Sequence, residues 1–182
     1  MSSIRSARFL AASTCLRILL TPVIMAMLMA DANRWATAVL FAIAAATDWF
    51  DGYLARRWEV TTKIGSFLDT TADKLLVTGV LIALVAVERA SPWVAVIIIG
   101  RELMVLGLRG VIAAGGTVMQ ASMLGRLKTA VQFLAILLAI GRPGDEIAGA
   151  YVDEWAMLAA AAITVASAVD YFSRFGASLA ER

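Results

Sequence analysis

The chain has 182 residues, of which 61% are hydrophobic and 16% charged, and its mean hydropathy is +0.82. Soluble domains are usually about 45–50% apolar, so this composition excludes an ordinary soluble protein and indicates an integral membrane protein. The net charge is only +2, and the absence of histidine removes the commonest zinc ligand and general base. The single cysteine, Cys15, lies in an apolar run and is predicted to be a small core residue.

Six apolar segments follow one another along the chain, each near the roughly 20 residues that a helix needs to cross a bilayer. Their hydrophobicity is continuous rather than alternating, which favours helices over a membrane barrel. We therefore predict an all-α integral membrane protein with six transmembrane helices, in a single domain over residues 1–182. The predicted segments are about 9–29, 35–53, 64–87, 93–114, 123–140 and 155–175.

The basic residues are distributed unevenly between the two sides of this six-helix arrangement. Thirteen of the 16 lysines and arginines fall on the side that holds both termini, and three (Arg34, Arg89 and Arg142) fall on the other. The positive-inside rule then places both termini at the cytoplasmic face. Residues 1–8 are basic and are predicted to form a short interfacial helix along the lipid headgroups.

Four carboxylates, Asp48, Asp51, Asp69 and Asp73, stand out in this apolar sequence. On a helix, residues three or four positions apart share a face, with Cβ atoms roughly 5–6 Å apart, so each pair can act together. The connection between the second and third segments is short, so two antiparallel helices can bring all four acids into one pocket. A hard divalent cation, Mg²⁺ or Mn²⁺, suits such a set of oxygen ligands at a membrane boundary.

Small and basic residues accompany these acids. Gly52 and Ala55 continue the face of the first pair, and Gly65 lies one turn before Asp69, which leaves room for a ligand near the backbone. Carboxylates for a metal, together with Arg56 for phosphate oxygens, suggest a metal-bridged pyrophosphate. The structural alternative is a salt-bridge cluster or a set of solvated helix ends.

The spacing D-x2-D-G-x2-A-R-x8-G-x3-D-x3-D is matched at every fixed position from Asp48 to Asp73. It resembles the signature of the CDP-alcohol phosphotransferase family, six-span membrane proteins that carry this signature over their second and third helices. The resemblance covers nearly the whole chain, and the pattern is long and gap-constrained. It implies a transferase that moves a phosphatidyl or similar phosphoryl group from a CDP-linked donor to an alcohol and releases CMP.

The resemblance also implies a role for each signature residue. The metal ligands, for two ions of Mg²⁺ or Mn²⁺, would be Asp48, Asp51, Asp69 and Asp73. Asp73 would also be the catalytic base that takes the proton of the acceptor hydroxyl. The donor-binding residues would be Gly52, Ala55, Arg56 and Gly65. This division suits phosphoryl transfer, which needs charge neutralisation, in-line positioning and a base within hydrogen-bond reach.

Further stretches resemble a bacterial branch of the family that uses CDP-diacylglycerol as donor and sn-glycerol 3-phosphate as acceptor. They include L-D-T-T-A-D-K from Leu68, G-R-L-K-T-A-V-Q from Gly125 and T-x2-R-x4-P from Thr14. Two positions depart from the family pattern. Residues 7–9 lack an Asn-Ile-Pro-like start to the first helix, and Thr70 stands where a proline often follows the third aspartate.

An anionic acceptor requires a second, basic pocket. The predicted acceptor-phosphate residues are Arg101, Arg109, Arg126 and Lys128. For the last three, the alternative is a positive anchor facing lipid headgroups, and for Arg101, beside Glu102, it is a structural role. Asp170 is predicted to form a local salt bridge.

Two rival functions stay open on the sequence. The first is a sister transferase with another acceptor, such as inositol phosphate, serine or phosphatidylglycerol. The second is a cation channel or transporter, which the clustering of the acids at one face disfavours.

The predicted partners are the two substrates and the lipid bilayer, with no nucleic acid. The family resemblance implies a homodimer, and the spacing of Gly107, Gly110 and Ala114 permits close contact between helices. We expect a multi-pass protein of the cell membrane with its active site facing the cytoplasm.

Overall fold

The computed structural model describes the backbone of residues 2–58, 63–114, 123–144, 146 and 149–180. It describes the side chains of the same residues except 2–11, 48–58, 63, 64, 66, 114 and 175–180. Within these ranges there are six helices, which confirms the all-α prediction and its six segments. They are α1 (Ser2–Met29), α2 (Arg34–Trp58), α3 (Lys63–Ala86), α4 (Pro92–Ala114), α5 (Met123–Gly141) and α6 (Val152–Ala180).

Three stretches of the described helices are long and apolar enough to cross a membrane: Ala12–Met29, Met123–Gly141 and Val152–Arg174. A shorter apolar stretch covers Arg34–Thr47 in α2. Helices α3 and α4 are interrupted by charged residues, so length and composition alone do not assign them to the membrane. Six spans with cytoplasmic termini therefore stay a prediction.

The chain divides into two compact units, Met1–Glu88 with α1 to α3 and Arg89–Arg182 with α4 to α6. Each unit is a group of three helices with its own packed interior. This division does not test the prediction of one domain over residues 1–182.

In the first unit, α1 packs against both α2 and α3. Its buried face carries Arg17, Thr21, Ile24 and Leu28, spaced three or four residues apart as one side of a helix requires. The two helices α1 and α3 approach closely at Gly79 of α3, where an added Cβ would lie 2.8 Å from Cγ2 of Thr21. Only a residue without a side chain permits this approach.

Two details of α1 differ from expectation. The helix runs without a break from Ser2, so the prediction of a separate short helix over residues 1–8 is wrong. No glycine or proline precedes Pro22, and nothing in this stretch stops helix propagation. Cys15 is exposed, so its predicted core position is also wrong. It lies two residues from Arg17, which turns it roughly 200° away from the buried face.

Short capped connections determine the direction of the helices in this unit. Asp31 adopts a left-handed conformation with φ of 47°, and the N–H of Ala32 donates to the carbonyl of Met27 at 2.9 Å, which closes the end of α1. The side chain of Asn33 then accepts a hydrogen bond from the N–H of Trp35 at 3.0 Å and caps α2. The chain therefore reverses within a few residues, and α2 returns alongside α1.

In the second unit, α6 packs against both α4 and α5. The connection between α5 and α6 is held by Arg142, whose Nη2 lies 2.7 Å from Oε1 of Glu154 and whose guanidinium stacks on the ring of Tyr151. Arg89 donates to the carbonyl of Ile140 at 2.9 Å, at this same end. The unit is thus tied together where α4 and α6 begin and α5 ends.

Candidate functional site

The acidic side chains of the signature that the structure describes lie on α3. Asp69 and Asp73 are one helical turn apart, and their side chains are 39% and 20% exposed. Oδ1 of Asp69 accepts a hydrogen bond from Nη2 of Arg17 at 2.8 Å, and Oδ2 of Asp73 lies 2.7 Å from Nζ of Lys74. Each carboxylate therefore has a cationic neighbour, and part of its surface stays accessible.

Arg17 is the largest fully buried side chain among the described residues, with no exposed surface. It belongs to the buried face of α1, so the packing of α1 on α3 directs its guanidinium toward the start of α3. A buried charge is stable only with a partner, and Asp69 supplies one. Sequence reasoning used Arg17 only in a family motif and in the count of basic residues, although an arginine within an apolar first helix already signals such a partner.

The rest of the acidic signature lies on α2 and at the start of α3. Asp48, Asp51, Gly52, Ala55 and Arg56 belong to the last turns of α2, but their side chains lie outside the described residues. Gly65 is exposed one turn before Asp69, as its predicted role beside a ligand requires. The proposed roles of these residues stay predictions.

The two described carboxylates fit a divalent metal ion. Both are hard oxygen donors on one helix face, and both are partly accessible, which suits Mg²⁺ or Mn²⁺. Among the side chains that the structure describes, no three acidic, histidine or cysteine groups form a metal cluster. The complete predicted set also needs Asp48 and Asp51, which are outside that description.

The predicted basic residues form two kinds of arrangement in the second unit. The first is an internal ion-pair network: Arg101, Glu102 and Lys128 are all less than 10% exposed. Glu102 forms ion pairs with Arg101 on its own helix and with Lys128 on α5. Nη2 of Arg101 also donates to Oγ of Ser167 on α6 at 2.7 Å. This network links all three helices of the unit, as the structural alternative for Arg101 requires.

The second arrangement consists of exposed arginines. Nη2 of Arg109 donates to the hydroxyl of Tyr171 at 2.7 Å. Arg126 is exposed near the start of α5, and its Nη2 lies 3.2 Å from Sδ of Met123. Both side chains can therefore meet a ligand, unlike the buried Arg101 and Lys128. The assignment of all four residues to the acceptor phosphate stays a prediction.

Two contacts of the basic residues were not foreseen from the sequence. Ser167 and Tyr171 lie one turn apart on α6 and accept hydrogen bonds from Arg101 and Arg109. Polar residues near the end of an apolar helix were the available signal, but they do not reveal which partner they meet. The predicted local salt bridge of Asp170 is confirmed, since Oδ1 lies 2.7 Å from Nε of Arg174.

Comparison with known proteins identifies the family. The family model of CDP-alcohol phosphatidyltransferases matches residues 11–172. A protein of Bacillus subtilis (strain 168) named CDP-diacylglycerol–glycerol-3-phosphate 3-phosphatidyltransferase is 45% identical over 141 residues, which cover 76% of this chain and 72% of the relative.

Two further relatives carry the same name. One from Sodalis glossinidius (strain morsitans) is 39% identical over 150 residues, 78% of each chain. One from Escherichia coli (strain K12) is 36% identical over 176 residues, 93% of this chain and 95% of the relative. The matches extend across both units and both groups of charged residues. The chain belongs to the CDP-alcohol phosphatidyltransferase family of transferases.

Proposed function

We propose that this protein transfers the phosphatidyl group of CDP-diacylglycerol to sn-glycerol 3-phosphate, giving phosphatidylglycerophosphate and CMP. The observation that carries this proposal is the 36–45% identity to relatives named for that reaction, over most of the chain. The accessible Asp69 and Asp73 on α3 and the exposed Arg109 and Arg126 support it. They offer the two kinds of charge that a nucleotide donor and a phosphorylated acceptor require.

The reaction exchanges one phosphorus–oxygen bond for another. The hydroxyl oxygen of the acceptor forms a bond to the phosphorus of the phosphatidyl group, and the bond from that phosphorus to the oxygen of CMP breaks. Asp73 takes the hydroxyl proton. We assign Asp73 this role because its carboxylate is partly exposed, so that an acceptor hydroxyl can come within hydrogen-bond reach of it.

The acidic residues would hold the metal ions of the reaction. We propose two ions of Mg²⁺ or Mn²⁺ bound by Asp48, Asp51, Asp69 and Asp73, with Gly52, Ala55, Arg56 and Gly65 around the donor. When bound, a divalent metal neutralises the charge of the donor pyrophosphate. Arg17 donates a hydrogen bond to the carboxylate of Asp69 and would orient it as a metal ligand.

The basic residues would bind the phosphate of the acceptor. Arg109 and Arg126 are exposed and can contact it, because guanidinium groups bind phosphate through paired hydrogen bonds. Arg101 and Lys128 are buried and joined through Glu102. We propose that these two residues belong to the same acceptor-phosphate site as Arg109 and Arg126, on its buried side.

We further propose a location in the cell membrane. All six helices would cross the bilayer, with both termini and the active site at the cytoplasmic face, and two copies would form a homodimer. The apolar stretches of α1, α5 and α6 support the membrane assignment. So do exposed apolar side chains such as Leu19 and Trp93, at 66% and 79% exposure, which lipid would cover.

An acceptor panel tests the proposed reaction. Purified protein in detergent is incubated with CDP-diacylglycerol, Mg²⁺ or Mn²⁺, and one of sn-glycerol 3-phosphate, inositol phosphate, serine or phosphatidylglycerol, while CMP release is followed. We expect release with sn-glycerol 3-phosphate and none after the metal is chelated. Release with a different alcohol only would replace the proposed acceptor, and release with none of the four would contradict the proposed transferase activity.

A further inference from the structure

Two arginines of α4 converge on one tyrosine of α6. The guanidinium carbons of Arg101 and Arg109 lie 5.3 and 5.5 Å from the ring centroid of Tyr171. The hydroxyl of Tyr171 accepts the hydrogen bond from Arg109. Tyr171 is 1% exposed and is one of the largest fully buried side chains described. Its position is therefore fixed by packing, and it can in turn fix the arginines.

The partner that α6 offers to Arg109 is neutral. Among the described residues, Arg109 has no carboxylate partner, whereas Glu102 pairs with Lys128 and Asp170 pairs with Arg174. A phenol hydroxyl orients a guanidinium group without cancelling its charge. Because a guanidinium has five N–H donors and Tyr171 uses one, the others can meet an anion.

The ring of Tyr171 has a second effect on the same group. Guanidinium groups within about 6 Å of an aromatic ring are attracted by its quadrupole. Arg101 and Arg109 repel each other, and a ring that attracts both holds them near one another at reduced cost. Ser167 completes the arrangement, since it accepts a hydrogen bond from Arg101 one turn before Tyr171.

We propose that Tyr171 is a positioning residue for the acceptor: it holds the guanidinium of Arg109 in the orientation that binds the phosphate of sn-glycerol 3-phosphate. This inference rests on the proposed function and on the assignment of Arg109 to the acceptor phosphate. It adds a residue of α6 to the acceptor side, where the sequence motifs contribute none. Tyr171 acts through Arg109 and has no direct role in the chemistry.

The test is Tyr171→Phe, which removes the hydroxyl and keeps the ring. We expect KM for sn-glycerol 3-phosphate to rise roughly five- to tenfold, as for the loss of one hydrogen bond of ordinary strength. We expect kcat and KM for CDP-diacylglycerol to stay within about twofold of the wild type. Tyr151→Phe is the matched control, because Tyr151 also carries an arginine on its ring, at the other end of the unit. It should leave both KM values unchanged.

A double-mutant cycle shows whether the effect passes through Arg109. In protein that already carries Arg109→Gln, adding Tyr171→Phe should not raise KM for the acceptor further. Equal effects of Tyr171→Phe with and without Arg109 would overturn the proposal. So would an unchanged acceptor KM, or equal changes in the KM values of donor and acceptor, since a loss of packing alone predicts no split between substrates.

Two further outcomes need their own interpretation: failure of the proposed function, and failure of the variant to fold. Wild-type protein that releases no CMP with sn-glycerol 3-phosphate contradicts the proposed function, whatever Tyr171→Phe does. If Tyr171→Phe does not fold, Arg109→Lys keeps the charge but loses the planar group that the hydroxyl orients. An acceptor KM that Arg109→Lys leaves at the wild-type value would then overturn the inference.

Discussion

The two units of the molecule differ in which partners of their internal ion pairs are buried. In the first unit the cation, Arg17, is fully buried and its carboxylate partner, Asp69, is partly exposed. In the second unit the carboxylate, Glu102, is buried between two buried cations, Arg101 and Lys128. The first arrangement leaves negative charge accessible, and the second uses negative charge to hold helices together. A charged residue in an apolar helix is therefore not by itself a ligand-binding residue, because its burial and that of its partner decide the role.

The comparison between the two units is tested most strongly at Asp73 of the first unit, which we assign as the catalytic base. Asp73→Asn should lower kcat by roughly 10²–10⁴-fold while donor binding is retained, because general base catalysis is lost. Steady-state CMP release and binding of CDP-diacylglycerol measure the two effects. Asp170→Asn, which removes a carboxylate from a pair whose Arg174 is 61% exposed, should leave kcat nearly unchanged. A kcat close to wild type in Asp73→Asn would remove Asp73 from the mechanism.

Glu102, a buried carboxylate of the second unit, should matter for stability first. Glu102→Gln leaves Arg101 and Lys128 buried without their shared partner, and breaking such a network costs about 3–5 kcal/mol of unfolding free energy. Thermal or denaturant unfolding in detergent measures this. Glu154→Gln is the matched control: Glu154 is 42% exposed, and the loss of its pair with Arg142 should cost under about 1 kcal/mol. Equal losses in the two variants would remove the distinction between the buried and the exposed pair.

The buried cation of the first unit should act on metal binding. Arg17→Gln removes the group that orients Asp69, and loss of such a supporting contact lowers metal affinity roughly 10–100-fold. Mn²⁺ binding followed by electron paramagnetic resonance reports this without turnover. Arg174→Gln removes an arginine from an exposed Arg–Asp pair and should leave the affinity unchanged. Unchanged Mn²⁺ affinity in Arg17→Gln would mean that Arg17 serves only the packing of α1.

The smallest expected effect concerns the close contact of α1 with α3. Gly79→Ala places a Cβ 2.8 Å from Cγ2 of Thr21 and 2.9 Å from Sδ of Met25, and we expect a loss of about 1–3 kcal/mol of unfolding free energy. Gly100→Ala on α4 meets no atom within 4 Å and should instead stabilise its helix by roughly 0.5–1 kcal/mol. Opposite signs in thermal unfolding would support the close approach, and a stabilising Gly79→Ala would argue against it.

Local pattern was sufficient to predict the helices. Continuous apolar runs of about 20 residues separated by polar connections predicted six helices, and the described part of the chain has six at nearly the same positions. The largest differences are at the start of α1 and at the ends of α2 and α6. There the chain stays helical beyond the apolar run, because adding a residue to a helix that already exists costs far less than starting a new one.

Within one helix, spacing also determined which residues act together. Asp69 and Asp73 share a face because they are four residues apart, and Asp170 pairs with Arg174 for the same reason. The signature identified the family from the same kind of local information. The chemistry expected of the acids therefore followed from the sequence.

Only the tertiary structure decided which charges meet across helices. Arg17 and Asp69 are 52 residues apart, Arg101 and Ser167 are 66 apart, and Arg109 and Tyr171 are 62 apart. Such pairings depend on which helix faces pack together and in what register, and no period within a single helix contains that information. The sequence by itself determined the helices and the kinds of charge they carry. Packing decided whether each charge is exposed for a ligand or buried against a partner.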